Sequence, residues 1–362
     1  MTTWPEWLPL RENLRGLSPY GAPQISVDAV MNTNENPYPP SAQLVRAIAD
    51  RVSEVSSRLN RYPDRDAVVL RTKLAQFINQ LSSTRFDESN IWAANGSNEI
   101  IQSLFMAFGS GPALGFTPSY SMHPLIAKVT QVQWVNGERR KDFSLDIDSA
   151  ISQIQEVKPV LTFITTPNNP TGTAVTLQEI ESLAQVTPGL LVIDEAYAEF
   201  SDENSAVTLI EKYPHLVVIR TMSKAFAFAG VRLGYLVAHP SVIESMFLVR
   251  LPYHLSALTQ AAAEVAIDFK DELLGTVARI RSDRDLIASQ LVAIGLTVIP
   301  SSSNFLLFTG FPMPAAELWQ AMLERGVLIR DVGLLGYLRV TIGNEAENSK
   351  FISTLSACLG EK

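Results

Sequence analysis

The sequence predicts an α/β fold: a mostly parallel sheet, then a second, smaller α/β unit. Three observations carry this. Short apolar, β-rich runs at 160–164 (VLTFI), 190–193 (LLVI) and 216–219 (LVVI) recur about every 25–30 residues. Helical stretches such as 177–184 fill the gaps, the rhythm of right-handed crossover units. After about residue 255 the texture changes to long helical periodicity alternating with short strands.

Taken in order, residues 1–40 form an N-terminal arm. Pro5, Pro9, Pro19, Pro23, Pro37, Pro39 and Pro40 forbid long helices there, while Trp4, Trp7, Leu10, Leu14, Leu17 and Tyr20 are apolar enough to pack. Residues 41–255 form the larger domain. It opens with helical spacing at Leu44, Ile48, Val52 and Val55, then at Val69, Leu70, Leu74, Phe77 and Ile78 with Asp66 as cap. Residues 256–362 form the smaller domain. Helices are expected at 272–294, 315–324 and 348–359, and strands at 297–299, 304–308, 327–329 and 337–342.

Composition narrows the function. With 362 residues, 46 % hydrophobic and 18 % charged, the chain is ordinary globular material. A net charge of −8 argues against an obligate nucleic-acid binder. The lone Cys358 excludes a disulfide framework. The N-terminus lacks the plan of a secretory signal and no apolar run reaches membrane-spanning length, so a cytoplasmic protein is expected.

Each of the three apolar runs ends in a polar cluster, where an open α/β sheet places its ligand. The clusters are Thr166-Pro167-Asn168-Asn169-Pro170-Thr171-Gly172, Asp194-Glu195-Ala196-Tyr197 and Thr221-Met222-Ser223-Lys224. Read singly, they are a tight loop, a helix cap and a solvated lysine. Together they suit pyridoxal phosphate, which needs a carboxylate at its ring nitrogen, donors at its phenolic oxygen and an amine at its aldehyde. Its phosphate needs hydroxyls, an arginine and a helix N-terminus. Asn95-Gly96-Ser97-Asn98-Glu99, ahead of Ile100, Ile101, Leu104, Phe105 and Phe108, offers that terminus, with Ser97 as cap.

The ordered motifs NGSNEI (95–100), PSY (118–120), PNNPTG (167–172), DEAY (194–197) and TMSKAF (221–226), with Arg232, resemble the fold-type I pyridoxal-phosphate aminotransferases. NTNENPYPP (32–40), RYPD (61–64), NFLLF (304–308), LIRD (328–331) and LRVTIG (338–343) extend the similarity to the histidinol-phosphate aminotransferases over essentially the whole chain. GLSPYGAPQ (16–24) and RTMSKAFAFAG (220–230) are most like the actinobacterial branch.

The resemblance implies a large, mostly parallel seven-stranded sheet domain and a smaller C-terminal one. It implies that Lys224 bonds the cofactor aldehyde, that Asp194 pairs with the ring nitrogen, that Asn169 and Tyr197 hold the phenolic oxygen, and that Tyr120 stacks on the ring. Ser97, Asn98, Thr221, Ser223 and Arg232 would meet the phosphate, joined by Tyr62 from the other subunit of a homodimer. Asn98 stands where many relatives have aspartate. Lys224, once freed by the substrate amine, would carry a proton between substrate and cofactor carbons.

For substrate, the resemblance implies histidinol phosphate, with 2-oxoglutarate and glutamate as the second pair. Arg330 and Arg339 would take its phosphate, with Tyr20 and Tyr62, while Asn36 and Asn304 line the same region. An aromatic amino-acid aminotransferase is the near rival, since one arginine also takes a carboxylate. A threonine-phosphate decarboxylase shares the phosphate and releases carbon dioxide. A nucleotide-binding α/β protein with no covalent cofactor is the alternative from another class. His123, His215, His239 and His254 lack metal-ligand spacing, so no metal site is expected; His123, three residues after Tyr120, can fall near the ring but is read as structural. Gly109-Ser110-Gly111 with Gly115 lacks dinucleotide-loop spacing.

Overall fold

Proline density keeps the first stretch irregular in the computed structural model, which describes residues 4–360. One helical turn, α1 (Glu12–Arg15), and a two-residue strand, β1 (Ala29–Val30), interrupt it. Where the prolines thin out, α2 (Ala42–Ser56) starts on Ser41, whose hydroxyl accepts from the Leu44 N–H. The next helix, α3 (Val68–Ser82), corrects an expectation. Ala67 occupies the cap position at φ 48°, and Asp64 rather than Asp66 accepts the Val68 N–H, at 2.8 Å. Asp66 is held instead between Arg65 and Arg250, and these hydrogen bonds keep its carboxyl well below the usual carboxylate range.

Strands and α-helices alternate as far as β6 and two further strands follow: β2 (Ile91–Ala94), α4 (Ser97–Phe108), β3 (Ala113–Thr117), α5 (Met122–Thr130), β4 (Trp134–Glu138), α6 (Ile147–Val157), β5 (Leu161–Thr165), α7 (Leu177–Ala184), β6 (Leu190–Asp194), β7 (Leu216–Thr221) and β8 (Gly234–Val237). They build a seven-stranded sheet in the order β2-β8-β7-β6-β5-β3-β4. Its pairs are parallel except where β8 runs antiparallel to β2 and β7. The three expected runs are its centre, β5, β6 and β7, and helices on both faces bury nearly every residue of them. Burial on two faces is why they read as continuous apolar runs instead of alternating ones.

Beyond the sheet lie α8 (Pro240–Val249), α9 (Ala257–Asp268), which packs along α2 and α3, and α10 (Lys270–Ala293). Then come β9 (Thr297–Val298), β10 (Phe305–Thr309), α11 (Ala315–Glu324), β11 (Val327–Leu328), β12 (Arg330–Asp331), β13 (Leu338–Thr341) and α12 (Glu345–Leu359). Strands β12, β13, β10 and β9 form an antiparallel sheet. The inner end of the N-terminal stretch is stitched to this half of the chain: β1 pairs in parallel with β11, and Thr341 N–H donates to the Met31 carbonyl at 2.9 Å. Among the described residues no helix is long and apolar enough to cross a membrane.

Candidate active site

Because β5, β6 and β7 run parallel, their carboxyl ends deliver Thr165, Asp194 and Thr221 to one edge of the sheet. A cavity of about 550 Å³ opens there, roofed by Tyr20 from the N-terminal stretch and walled by Arg330 and Arg339 from β12 and β13.

Lys224 follows β7 and reaches across the cavity, its ammonium donating to the Thr33 carbonyl at 2.8 Å. Burial, helped by the charge of Arg339 and opposed by Glu35, pushes its pKa down to about 8. Asp194 is almost fully enclosed. Its Oδ2 lies 3.1 Å from His123 Nε2, and its Oδ1 accepts the Ala196 N–H at 3.3 Å. A carboxylate kept this dry, with a hydrogen-bonding capacity of about four, has room for a cationic partner from the cavity.

At the far end, α4 points its N-terminus into the cavity. The cap residue is Gly96 at φ 83°, so Ser97 is the first helical residue and not the cap, and its hydroxyl makes no capping bond. Ser97 and Asn98 both line the cavity. Opposite them, the hydroxyls of Thr221 and Ser223 lie 3.1 Å apart, and Arg232 Nη1 is 3.4 Å from Ser223 Oγ. Two glycines draw this cup tight. A Cβ on Gly96 would meet Arg232 Nη2 at 2.6 Å, and one on Gly234 would meet the backbone of Gly96 and Ser97 at 2.6 Å. Helix terminus, paired hydroxyls and guanidinium make a phosphate receptor. Neutral Asn98 in place of an acid adds no negative charge to it, and its Oδ1 accepts the Tyr120 hydroxyl at 3.0 Å.

Between cup and lysine stand the groups for the ring. Tyr120 lines the cavity, and burial holds its phenol above the usual range. Tyr197 is buried and its pKa is pushed up to about 12 by that burial, so both remain hydroxyls. Asn34 Nδ2 donates to the Tyr197 oxygen at 2.8 Å, and Asn169 accepts from Arg339 Nη1 through Oδ1. A carboxylate for the ring nitrogen, an amine of lowered pKa and a phosphate cup at the opposite end fit pyridoxal phosphate.

Arg339 is buried on β13, donates to the Asn32 carbonyl at 2.8 Å and lies 5.0 Å from the centre of the Phe305 ring. Burial lowers its pKa to about 10, which leaves it charged at neutral pH, and no carboxylate is among the charges acting on it. Antiparallel pairing sets Arg330 directly opposite Arg339, so their side chains share a face.

Three expected residues stand elsewhere. Tyr62 is 79 % exposed and stacks on Tyr253 at 4.3 Å, outside the cavity of its own chain. Asn36 does not line the cavity: its amide donates to the Ala225 carbonyl and Thr276 Oγ1, and its oxygen accepts the Tyr38 N–H. Asn304 sits behind the wall and donates to the Asn34 carbonyl at 3.0 Å. Conversely, His123, read from the sequence as structural, and Asn34, given no role of its own within NTNENPYPP, both belong to the site. The three-residue step from Tyr120 to His123 was the available signal for one, and the asparagines alternating through NTNEN for the other. Among the described residues no cluster of His, Cys, Asp or Glu is arranged to hold a metal ion.

The model of the family "Aminotransferase class I and II" matches residues 29–355. The chain is 55 % identical to the histidinol-phosphate aminotransferase of Nocardia farcinica over 349 residues, 95 % of this chain and 90 % of the relative. It is 54 % identical to that of Corynebacterium glutamicum strain R, over 95 % of each chain. Among solved structures, the histidinol-phosphate aminotransferase of Sinorhizobium meliloti in complex with pyridoxal-5'-phosphate shares the fold at a TM-score of 0.84 and 21 % identity, covering 97 % of both chains.

Proposed function

The chain belongs to the class I and II aminotransferases, and from that premise we propose that it exchanges the amino group of histidinol phosphate with 2-oxoglutarate, a step of histidine biosynthesis. The observation that carries the substrate is the Arg330–Arg339 pair. Two like charges directly opposite on neighbouring strands repel. A phosphate dianion between them turns that repulsion into paired hydrogen bonds. Phenylalanine, with its single carboxylate charge, satisfies such a pair less well.

Pyridoxal phosphate, when bound, supplies an electron-withdrawing ring that stabilises the electron pair left when the substrate carbon loses its proton. The chain's own residues do the rest. Asp194 holds the proton on the ring nitrogen, oriented by His123. Tyr197 and Asn169 hold the phenolic oxygen, Tyr120 covers the ring face, and Ser97, Asn98, Thr221, Ser223 and Arg232 bind the phosphate. Lys224, with its amine free of a proton above about pH 8 in the apo site, takes the proton from the substrate carbon and returns it on the cofactor side.

A homodimer completes this reading. Tyr62 and Tyr253 stack, and Leu248 and Leu251, close to Tyr253 in sequence, are 86 % and 75 % exposed; exposed apolar side chains of this kind suit a second copy of the chain. Tyr62 would then serve the neighbouring phosphate cup.

The test is a single half-reaction. Cofactor-loaded protein is mixed with histidinol phosphate, without an oxo acid, and the visible band is followed with phenylalanine as comparator. Far faster bleaching by histidinol phosphate is expected. Equal or faster bleaching by phenylalanine replaces this substrate with an aromatic amino acid.

A further inference from the structure

Every polar group of Asn34 is committed. Its N–H donates to Thr341 Oγ1 at 3.0 Å, its Oδ1 accepts the Thr341 hydroxyl at 3.0 Å, its carbonyl accepts Asn304 Nδ2 at 3.0 Å, and its Nδ2 donates to the Tyr197 oxygen at 2.8 Å. The residue is 1 % exposed and held at φ 59°, a conformation that asparagine tolerates better than most.

The orientation of this amide follows from its neighbours. Thr341 Oγ1 already accepts the Asn34 N–H, so its own proton needs an acceptor, and Oδ1 is the acceptor within reach. The amide nitrogen is thereby turned toward Tyr197. The tyrosine oxygen receives a hydrogen bond there, and its hydroxyl proton makes no bond to any described residue.

We infer that Asn34 is a positioning residue that fixes the Tyr197 hydroxyl as a donor toward the phenolic oxygen of the cofactor. With the amide N–H on one side of the oxygen, the O–H is left to point into the cavity. Thr341 and Asn304, on and beside the paired strands β13 and β10, hold Asn34 in that attitude. The ionisable groups facing Tyr197 are Arg339 from β13, Asp194 at the end of β6 and Tyr20 from the N-terminal stretch.

The inference rests on the cofactor and not on the choice of substrate, so its test uses no substrate. Wild type, Asn34→Gly, Asn34→Asp, Tyr197→Phe and the Asn34→Gly/Tyr197→Phe double variant are loaded with pyridoxal phosphate. Each visible band is then titrated from about pH 5 to about pH 10. A donor on the phenolic oxygen stabilises its anionic form, so weakening that donor raises the midpoint. Glycine keeps the positive φ and removes the amide. Aspartate keeps the shape and forces Tyr197 to donate to it instead. The midpoint is expected to rise by about one pH unit in Asn34→Gly and further in Asn34→Asp, and the double variant should match Tyr197→Phe alone. An unmoved midpoint in Asn34→Asp overturns the inference, as does an extra shift from Asn34→Gly in the Tyr197→Phe background. A colourless wild-type protein would overturn the cofactor reading and this inference with it.

Discussion

His123 Nε2 lies 3.1 Å from Asp194 Oδ2, with the two side chains only 2 % and 3 % exposed. Tyr120 packs edge-on to the imidazole at 5.5 Å, and Phe163 lies 4.8 Å away. An ionised carboxylate only accepts, so Nε2 carries the hydrogen of this bond. His123→Phe keeps the aromatic packing and removes the donor. A hydrogen bond to a charged group contributes about 1.5–3 kcal/mol, so kcat/KM is expected to fall about 10- to 100-fold in steady-state assays at saturating cofactor.

If Lys224 is the amine that captures the cofactor, capture depends on pH. Only a neutral amine attacks the aldehyde, so the rate at which apo protein develops its visible band should climb with pH and level off above about 8. Arg339→Met removes a charge that helps hold the lysine down and should move this midpoint upward. The stability effect has a defined sign. The native lysine releases its proton near pH 8 and the unfolded one near 10.5, so this group's contribution to apo stability rises between those values and is most unfavourable below them. Lys224→Met should therefore melt at a higher temperature than wild type in apo form at pH 7.

The two arginines should separate by substrate. Arg339→Gln and Arg330→Gln are each expected to lower kcat/KM for histidinol phosphate about 10- to 100-fold, the range for a hydrogen bond to a charged group. If both arginines grip one phosphate, the loss with phenylalanine will be smaller for Arg330→Gln than for Arg339→Gln.

Gly234→Ala tests the phosphate cup. The added methyl would lie 2.6 Å from backbone atoms of Gly96 and Ser97, which no rotamer change relieves. Displacing the start of α4 should cost about 1–3 kcal/mol, read as a lower melting temperature and as weaker cofactor binding in an equilibrium titration.

The proposal that Tyr62 serves the neighbouring site of a homodimer predicts complementation. Lys224→Ala and Tyr62→Ala chains, each impaired alone, should regain activity when mixed and reassembled, because one site of the hybrid dimer then receives both native residues. No recovery, with mixed dimers demonstrated by mass, would sink the assignment of Tyr62 to the neighbouring cup.

What the sequence disclosed follows from burial. Strands β5, β6 and β7 are enclosed on both faces and stand out as unbroken apolar runs. Strands β2, β3, β4 and β8 do not stand out in the sequence, because small or polar residues dilute them. Gly115 in β3, for example, is kept small by the Trp134 ring, 2.5 Å from where its Cβ would stand. Lys224, Asp194 and Asn169 were legible because each ends or follows a legible strand. Asn36, which the resemblance places at the cavity, stands away from it because the positive φ of Asn34 breaks the alternation from which facing is read. Asn36 turns away to Ala225 and Thr276, leaving Asn32 and Asn34 at the cavity.

The stitching of residues 31–34 to Arg339 and Thr341 bears on how the protein is made. All seven strands of the large sheet have left the ribosome once Val237 has, yet the strand that positions Asn34 follows roughly a hundred residues later. A nascent chain can therefore stack its main sheet while residues 31–34 still lack their partners on β13, the last strand of the described residues. The last part of the cavity to be laid down is thus the wall where Arg339 reaches the Asn32 carbonyl.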